Sequence, residues 1–104
     1  MNRLETLKTA ADLTMGDRNK QYGEPTDQME LTWDMFSLYL AKAQENAVLR
    51  DADHTMGGHH AAVFLMMNKI SRMAMGAPKE DNYVDAAAYI AIAGECLETP
   101  SEAE

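Results

Sequence analysis

The sequence predicts an all-α fold, a single domain that resembles a four-helix bundle and forms oligomers. Its 104 residues include nine methionines but only two phenylalanines and one tryptophan, and methionine favours helices and fills irregular gaps. The longest apolar run, 59–76, puts apolar side chains on nearly every face of a helix, which is typical of a buried central helix. Glycine and proline residues separate four segments with the apolar pattern of a helix. We therefore expect one domain over 1–98 and a disordered acidic tail at 99–104.

Charge and cysteine content limit the partners and the compartment. The formal net charge is -8, whereas nucleic-acid binding needs a basic surface; a local basic pocket for a small phosphorylated ligand remains compatible with it. The single Cys96 cannot form an internal disulfide, which favours a reducing cytoplasm. No apolar run reaches membrane-spanning length. We therefore expect a cytoplasmic protein with neither nucleic-acid nor membrane partners.

The first helix is predicted over 3–15. Asn2 has the character of an N-cap, and Glu5 follows it at capping-box spacing. Gly16 is a plausible stop after the last turn. One face of this helix carries Leu4, Leu7 and Ala11.

The loop at 16–26 has two interpretations. It contains glycines, a proline and turn-forming residues, so it suits an ordinary surface connection. It also suits a ligand loop, in which Arg18 and Lys20 hold phosphate, Tyr22 stacks on a base and Gly23 permits close approach of the backbone. Both interpretations stay open at this point.

The second helix is predicted to begin near Asp27, with Glu30 at capping-box spacing. The spacing of its apolar residues is that of a core stripe. Glu30 and Asp34 lie one turn apart and favour either a solvated pair or, less often, a divalent metal site. The core stripe comprises Met29, Trp33, Phe36 and Leu40.

The third helix is the central run, 59–76, and two cations interrupt it. Its first residue, His59, shares the stripe of Val63, which indicates a buried histidine with satisfied hydrogen bonds. Lys69 and Arg72 lie three residues apart, on one face. A cation beside a core is costly unless a partner pairs with it.

The fourth helix is predicted over 81–97. Its many alanines permit close helix packing, either within the chain or between subunits. One face carries Asp81, Asp85 and Tyr89. A short connection makes the third and fourth helices antiparallel, which brings Lys69 and Arg72 near the two carboxylates. This set is either a structural ion-pair network or the lining of a nucleotide-like ligand site.

The order of these features resembles a family of small phage-encoded helical proteins of unassigned function. The resemblance covers about residues 17–95. Its motifs are Tyr22-Gly23, Trp33 and Phe36, Leu65-Met66-Met67 with Lys69 and Arg72, and Asp81-Asn82-Tyr83-Val84-Asp85 with Tyr89.

That family is distantly similar to the MazG-like all-α NTP pyrophosphatases, which resemble oligomeric four-helix bundles and bind Mg²⁺ through Glu-x-x-Glu and Glu-x-x-Asp motifs. Here Glu30 and Asp34 are the nearest substitute for the first motif. Asn82 and Asp85 stand where the second is expected. Fewer carboxylates weaken a site that must hold a metal against phosphates.

Three functions follow as hypotheses. The favoured one is a homo-oligomer that binds a nucleotide or nucleotide-derived signal without turnover or cofactor, as phage sponges sequester the cyclic nucleotides of bacterial immunity. The second is a Mg²⁺-dependent pyrophosphohydrolase with Glu30, Asp34 and Asp85 as metal ligands. The third is an acidic protein-interaction module. The candidate ligand-binding residues are Arg18, Lys20, Tyr22, Gly23, Lys69, Arg72, Asp81, Asn82, Asp85 and Tyr89.

Overall fold

The computed structural model describes residues 1–15, 23–53 and 55–98. These residues form four helices and no strand, so the predicted all-α class is confirmed. Within the same ranges, no helix is both long and apolar enough to cross a bilayer. Arg18, Lys20, Tyr22 and the tail at 99–104 lie outside the described residues. The helices are α1 (Arg3–Thr14), α2 (Pro25–Leu49), α3 (Gly58–Met75) and α4 (Glu80–Glu98).

The central helix α3 packs against α4 on one side and α2 on the other. Both neighbours run antiparallel to it, because residue numbers rise along one helix as they fall along its partner. His59 meets Ala93 and Lys69 meets Asp85, while Thr32 meets Ser71. The core between the helices consists of Phe36, Ala62, Val63 and Ala93, with Tyr39, Leu40, Phe64, Met66 and Met67 packed around it.

His59 is a partly buried histidine with both ring nitrogens engaged, as its place on the core stripe predicts. Nδ1 lies 3.1 Å from the Ala93 carbonyl oxygen, and Nε2 lies 3.3 Å from the Tyr39 hydroxyl. A carbonyl oxygen only accepts, so Nδ1 carries the proton it donates there. One imidazole thus connects all three packed helices.

Helix α1 has an ordered start but buries no residue against the described part of the chain. The Asn2 side chain accepts from the Glu5 amide at 2.9 Å, and the Glu5 carboxylate accepts from the Asn2 amide at 2.9 Å. The predicted capping box is therefore confirmed. None of the 12 residues of α1 is buried, and Leu4 and Leu7 are 62% and 66% exposed.

Helix α2 begins two residues earlier than predicted, and its start differs in kind. Pro25 occupies the first turn and Glu24 is the N-cap, with no side-chain cap bond, so the predicted Asp27 capping box is wrong. Proline favours this start, because its fixed φ suits the first helical position and its missing N–H is one of those that a helix start leaves without an intrahelical partner. The apolar stripe is also only half buried: Phe36 is in the core, but Met29 and Trp33 are 51% and 58% exposed. The side of α2 that meets α3 instead carries Gln28 and Thr32, both buried.

Candidate functional site

An ion pair joins α3 to α4 near the end of the bundle where the two helices are connected. Lys69 Nζ lies 3.3 Å from Asp85 Oδ2. The lysine side chain is only 16% exposed, while the aspartate is 46% exposed. The antiparallel arrangement therefore gives this core cation the partner that the sequence predicts, and the pair reaches the solvent through its carboxylate.

The other predicted residues of this face take different positions. Arg72 follows Lys69 by three residues and is half buried, as is Tyr89 on α4. Asp81 is exposed in the first turn of α4. Asn82, the next residue, is almost completely buried. Lys69 and Asp85 thus meet where α3 contacts α4. The side-chain amide of Asn82, three residues before Asp85, is buried.

Five buried or half-buried polar side chains lie within the three packed helices, four of them on α2 and α3 and Asn82 on α4. The hydroxyls of Thr32 and Ser71 are 2.8 Å apart, and each residue is at most 1% exposed. Thr32 also donates to the Gln28 carbonyl at 2.7 Å and accepts from Asn68 at 3.3 Å. This polar layer comprises Gln28, Thr32, Asn68, Ser71 and Asn82.

Two amide groups of the polar layer lack hydrogen-bond partners. Gln28 is 5% exposed and Asn82 is 1% exposed. Within the described part of the chain, neither Gln28 Nε2 nor Asn82 Nδ2 has a partner. A buried donor left unpaired costs about 1–3 kcal/mol, so each such group in a folded protein calls for a physical explanation.

Gly23 closes this end of the bundle through its backbone. It is buried and has φ of +88°. A Cβ built at Gly23 would lie 3.0 Å from the Met75 carbonyl oxygen and 3.1 Å from Gln28 Nε2. The Gly23 backbone therefore lies close to the end of α3 and to the unpaired amide nitrogen of Gln28, and its approach to a ligand stays a prediction.

A known family accounts for nearly the whole chain. A domain of unknown function, DUF6378, matches residues 5–97. The chain belongs to the DUF6378 family. No curated protein and no solved structure matches it.

The metal ligands predicted for this DUF6378 chain are not gathered into one site. Glu30 and Asp34 are exposed on α2, whereas Asp85 lies on α4 and pairs with Lys69 of α3. Across residues 1–15, 23–53 and 55–98, no group of three or more His, Cys, Asp or Glu side chains could hold a metal ion. A Mg²⁺ site at these residues stays a prediction.

An apolar cavity of about 470 Å³ opens near the start of α3, away from the ion pair. Phe36 and Phe64 line it, with ring centroids 5.1 Å apart in an edge-to-face arrangement. His60 and Leu65 also contribute. The cavity walls are almost entirely apolar, so it lacks the charge that would orient a phosphate.

Sequence reasoning missed four members of the polar layer: Gln28, Thr32, Asn68 and Ser71. Their spacing carries a detectable pattern, because Gln28 and Thr32 are four residues apart and Asn68 and Ser71 are three apart. Each pair therefore shares a helix face. Asn68 and Ser71 also interrupt the longest apolar run, as Lys69 and Arg72 do.

Proposed function

We propose that this DUF6378 chain binds a nucleotide or nucleotide-derived signal molecule where α2, α3 and α4 meet, and sequesters it without turnover. The observation that carries the proposal is the pair of buried, unpartnered amide donors at Gln28 and Asn82. Phosphate and base carbonyl oxygens are acceptors that match such donors. Binding one would remove the cost of leaving them unpaired.

The neighbouring charges support a phosphorylated ligand. Lys69 already sits against the bundle with most of its side chain covered, so it can exchange the Asp85 carboxylate for a phosphate oxygen with little loss of side-chain entropy. Arg72 lies one turn further along α3 and adds a second cation. The freed Asp85 would accept hydrogen bonds from ribose hydroxyls. In this proposal Arg18, Lys20 and Tyr22 complete the site from the preceding loop, and Tyr89 adds aromatic surface.

The proposal also covers the oligomeric state, the cellular location and the origin of the protein. We infer a cytoplasmic homo-oligomer, phage-encoded and distantly related to the MazG-like enzymes, that acts as a sponge. Self-association is supported by the many apolar side chains that the single chain leaves exposed, such as Trp33, Tyr83, Ile90 and Leu97.

Mass spectrometry of bound ligand separates sequestration from catalysis. The purified protein is incubated with a mixture of nucleoside triphosphates and cyclic nucleotides plus Mg²⁺, desalted and heated. Intact nucleotide released by heating is the expected result. Monophosphate and pyrophosphate would instead show a pyrophosphohydrolase. If calorimetry detects no binding of any nucleotide in the mixture, the proposal is wrong.

Amide replacement is the sharpest test of the site. We expect Asn82→Leu to leave the free energy of unfolding unchanged or higher, because it removes a buried donor that has no partner. The same change should weaken nucleotide binding by roughly tenfold or more, since one hydrogen bond to a charged acceptor contributes about 1.5–3 kcal/mol. Urea unfolding and calorimetry measure the two quantities.

The matched control for that test is Asn46→Leu, which replaces an exposed asparagine on α2. It should leave nucleotide binding at the wild-type value. Equal loss of binding in both variants, or a large loss of stability in Asn82→Leu alone, would contradict a ligand role for the Asn82 amide.

A further inference from the structure

Two helices each expose a regular apolar stripe. On α4 the stripe residues are spaced four, three, four and three apart, which keeps them on one side of a helix. All of them are exposed, Ile90 by 49% and Leu97 by 63%. The α4 stripe comprises Tyr83, Ala87, Ile90, Gly94 and Leu97. The α1 stripe comprises Leu4, Leu7 and Ala11, spaced three and four apart and equally exposed.

Helix α1 needs packing that residues 1–15, 23–53 and 55–98 do not supply. It has 12 residues and none is buried, and isolated helices of this length are marginal in water. The capping box orders its first turn but covers no apolar surface. Its stripe therefore requires another apolar helix face.

The distribution of charge favours α4 of another chain as the helix face that covers the α1 stripe. Every charged residue of α4 is a carboxylate, so two α4 helices repel one another when they pair. On α1, the helical repeat places Arg3 and Lys8 on the two borders of the stripe and turns Glu5 and Asp12 towards the opposite side. An apolar stripe bordered by cations complements an apolar stripe on an acidic helix.

We propose that two copies of this chain form a dimer in which the α1 stripe of each packs on the α4 stripe of the other. This inference rests on the self-association proposed above and assigns it a surface. The twofold arrangement makes the contact twice. Ala87 and Gly94 allow close approach of the partner helix, while Tyr83, Ile90 and Leu97 supply the apolar contact area.

Adjacent alanines on α4 provide a matched test. Ala87 belongs to the α4 stripe, whereas Ala88 is seven residues from both Asp81 and Glu95 and so lies on the charged side; both alanines are exposed. Ala87→Glu should weaken dimerisation by roughly tenfold or more, and Ala88→Glu should change it less than about twofold. Leu7→Glu and Thr9→Glu form the corresponding pair on α1. Sedimentation over a range of concentrations gives the dissociation constants, and far-UV circular dichroism checks that each variant is folded.

Disulfide trapping identifies the occupant of the α4 stripe. In a Cys96→Ser background, Leu7→Cys protein is mixed with Ile90→Cys protein and oxidised. A disulfide between the two chains is the expected product. Crosslinking of Ile90→Cys with itself alone, or a bond formed only within one chain carrying both cysteines, would overturn the α1–α4 exchange.

The outcome for this interface is separable from the outcome for the ligand site. A wild-type chain that stays monomeric at all concentrations overturns the dimer, and nucleotide binding by that monomer would leave the ligand proposal standing. A dimer sensitive to Ala87→Glu that binds no nucleotide supports the interface and removes the ligand proposal. Equal dissociation constants for Ala87→Glu and Ala88→Glu would overturn the assigned surface.

Discussion

At the scale of single residues, the polar layer contains two kinds of buried group. The Thr32 and Ser71 hydroxyls lie 2.8 Å apart across the α2–α3 contact. Each oxygen is also within hydrogen-bond distance of a carbonyl of its own helix, so two hydroxyl protons are shared among three contacts. Gln28 and Asn82 carry unpaired amide nitrogens within the described chain. The hydroxyls of Thr32 and Ser71 hold α2 and α3 in register. The amide nitrogens of Gln28 and Asn82 lower stability and offer hydrogen-bond donors to a ligand. Replacement by an apolar residue should therefore act in opposite directions on the two kinds.

Thr32→Val tests the satisfied kind. The change keeps the shape of the side chain but removes the hydroxyl, so Asn68 loses its acceptor and Ser71, which is fully buried, loses one partner. We expect the free energy of unfolding to fall by about 1–3 kcal/mol. Urea unfolding measures it, with the exposed Thr9→Val as control. A change no larger than that of the control would show that the hydroxyl contact does not stabilise the fold.

Gly23→Ala tests the approach of the loop to the end of α3. Gly23 has φ of +88°, which alanine rarely adopts, and the new Cβ would lie 3.0 Å from a backbone carbonyl. Backbone strain of this kind costs about 1–3 kcal/mol, so we expect a loss of stability of that size in thermal or urea unfolding.

Gly94→Ala is the control for that experiment, and here we expect a gain of stability and not a loss. Gly94 is helical, and no atom outside its immediate neighbourhood lies within 4 Å of a Cβ built there. In dilute, monomeric protein, alanine in place of glycine should raise stability by about 0.5–1 kcal/mol. A loss for Gly94→Ala, or no loss for Gly23→Ala, would contradict the geometry described for these glycines.

At the scale of elements, α1 differs from the other helices in what orders it. Helices α2, α3 and α4 bury side chains against one another, whereas α1 has its capping box and no buried residue. The order of α1 within one chain therefore depends on local interactions. Packing on α4 of another copy would add what these local interactions lack.

Asn2→Ala removes the capping box and should act on assembly more than on the bundle. Loss of an N-cap costs about 1 kcal/mol, and in the proposed dimer α1 must be helical to dock. Both copies lose the cap, about 2 kcal/mol in all, so we expect self-association to weaken about thirtyfold, while urea unfolding of the isolated chain changes little. Sedimentation with Asn46→Ala as control measures the first quantity. A large loss in unfolding free energy would instead place α1 against its own bundle.

At the scale of the whole molecule, periodicity predicts the helices well because each carries a 3.6-residue apolar pattern and ends at glycine, proline or a cap. It predicts the Lys69–Asp85 pair because a short connection makes α3 and α4 antiparallel. Burial is harder to predict. Trp33 lies on an apolar stripe yet is exposed, because a stripe shows which face is apolar and not whether the same chain covers it.

The buried amides could not be predicted for a related reason. Asn82 is a candidate ligand residue in the sequence and Gln28 is not, but the burial of neither follows from a local pattern, because only the packing of three helices removes them from water. The placement of Gly23 against Met75 likewise depends on a long-range contact. Local patterns therefore predict the helices of this DUF6378 chain, while the candidate site emerges from how they meet.

The doubly bonded imidazole of His59 also gives the molecule a spectroscopic marker. Its Nδ1 proton lies between α3 and α4, and its Nε2 faces the Tyr39 hydroxyl of α2. In a nitrogen-15 NMR spectrum the two ring nitrogens take different chemical shifts when one tautomer dominates, and they approach one another when the ring is free. One side chain therefore reports on the register of three helices at once, and any ligand or partner that slides α2 or α4 along α3 would be visible at a single resonance pair.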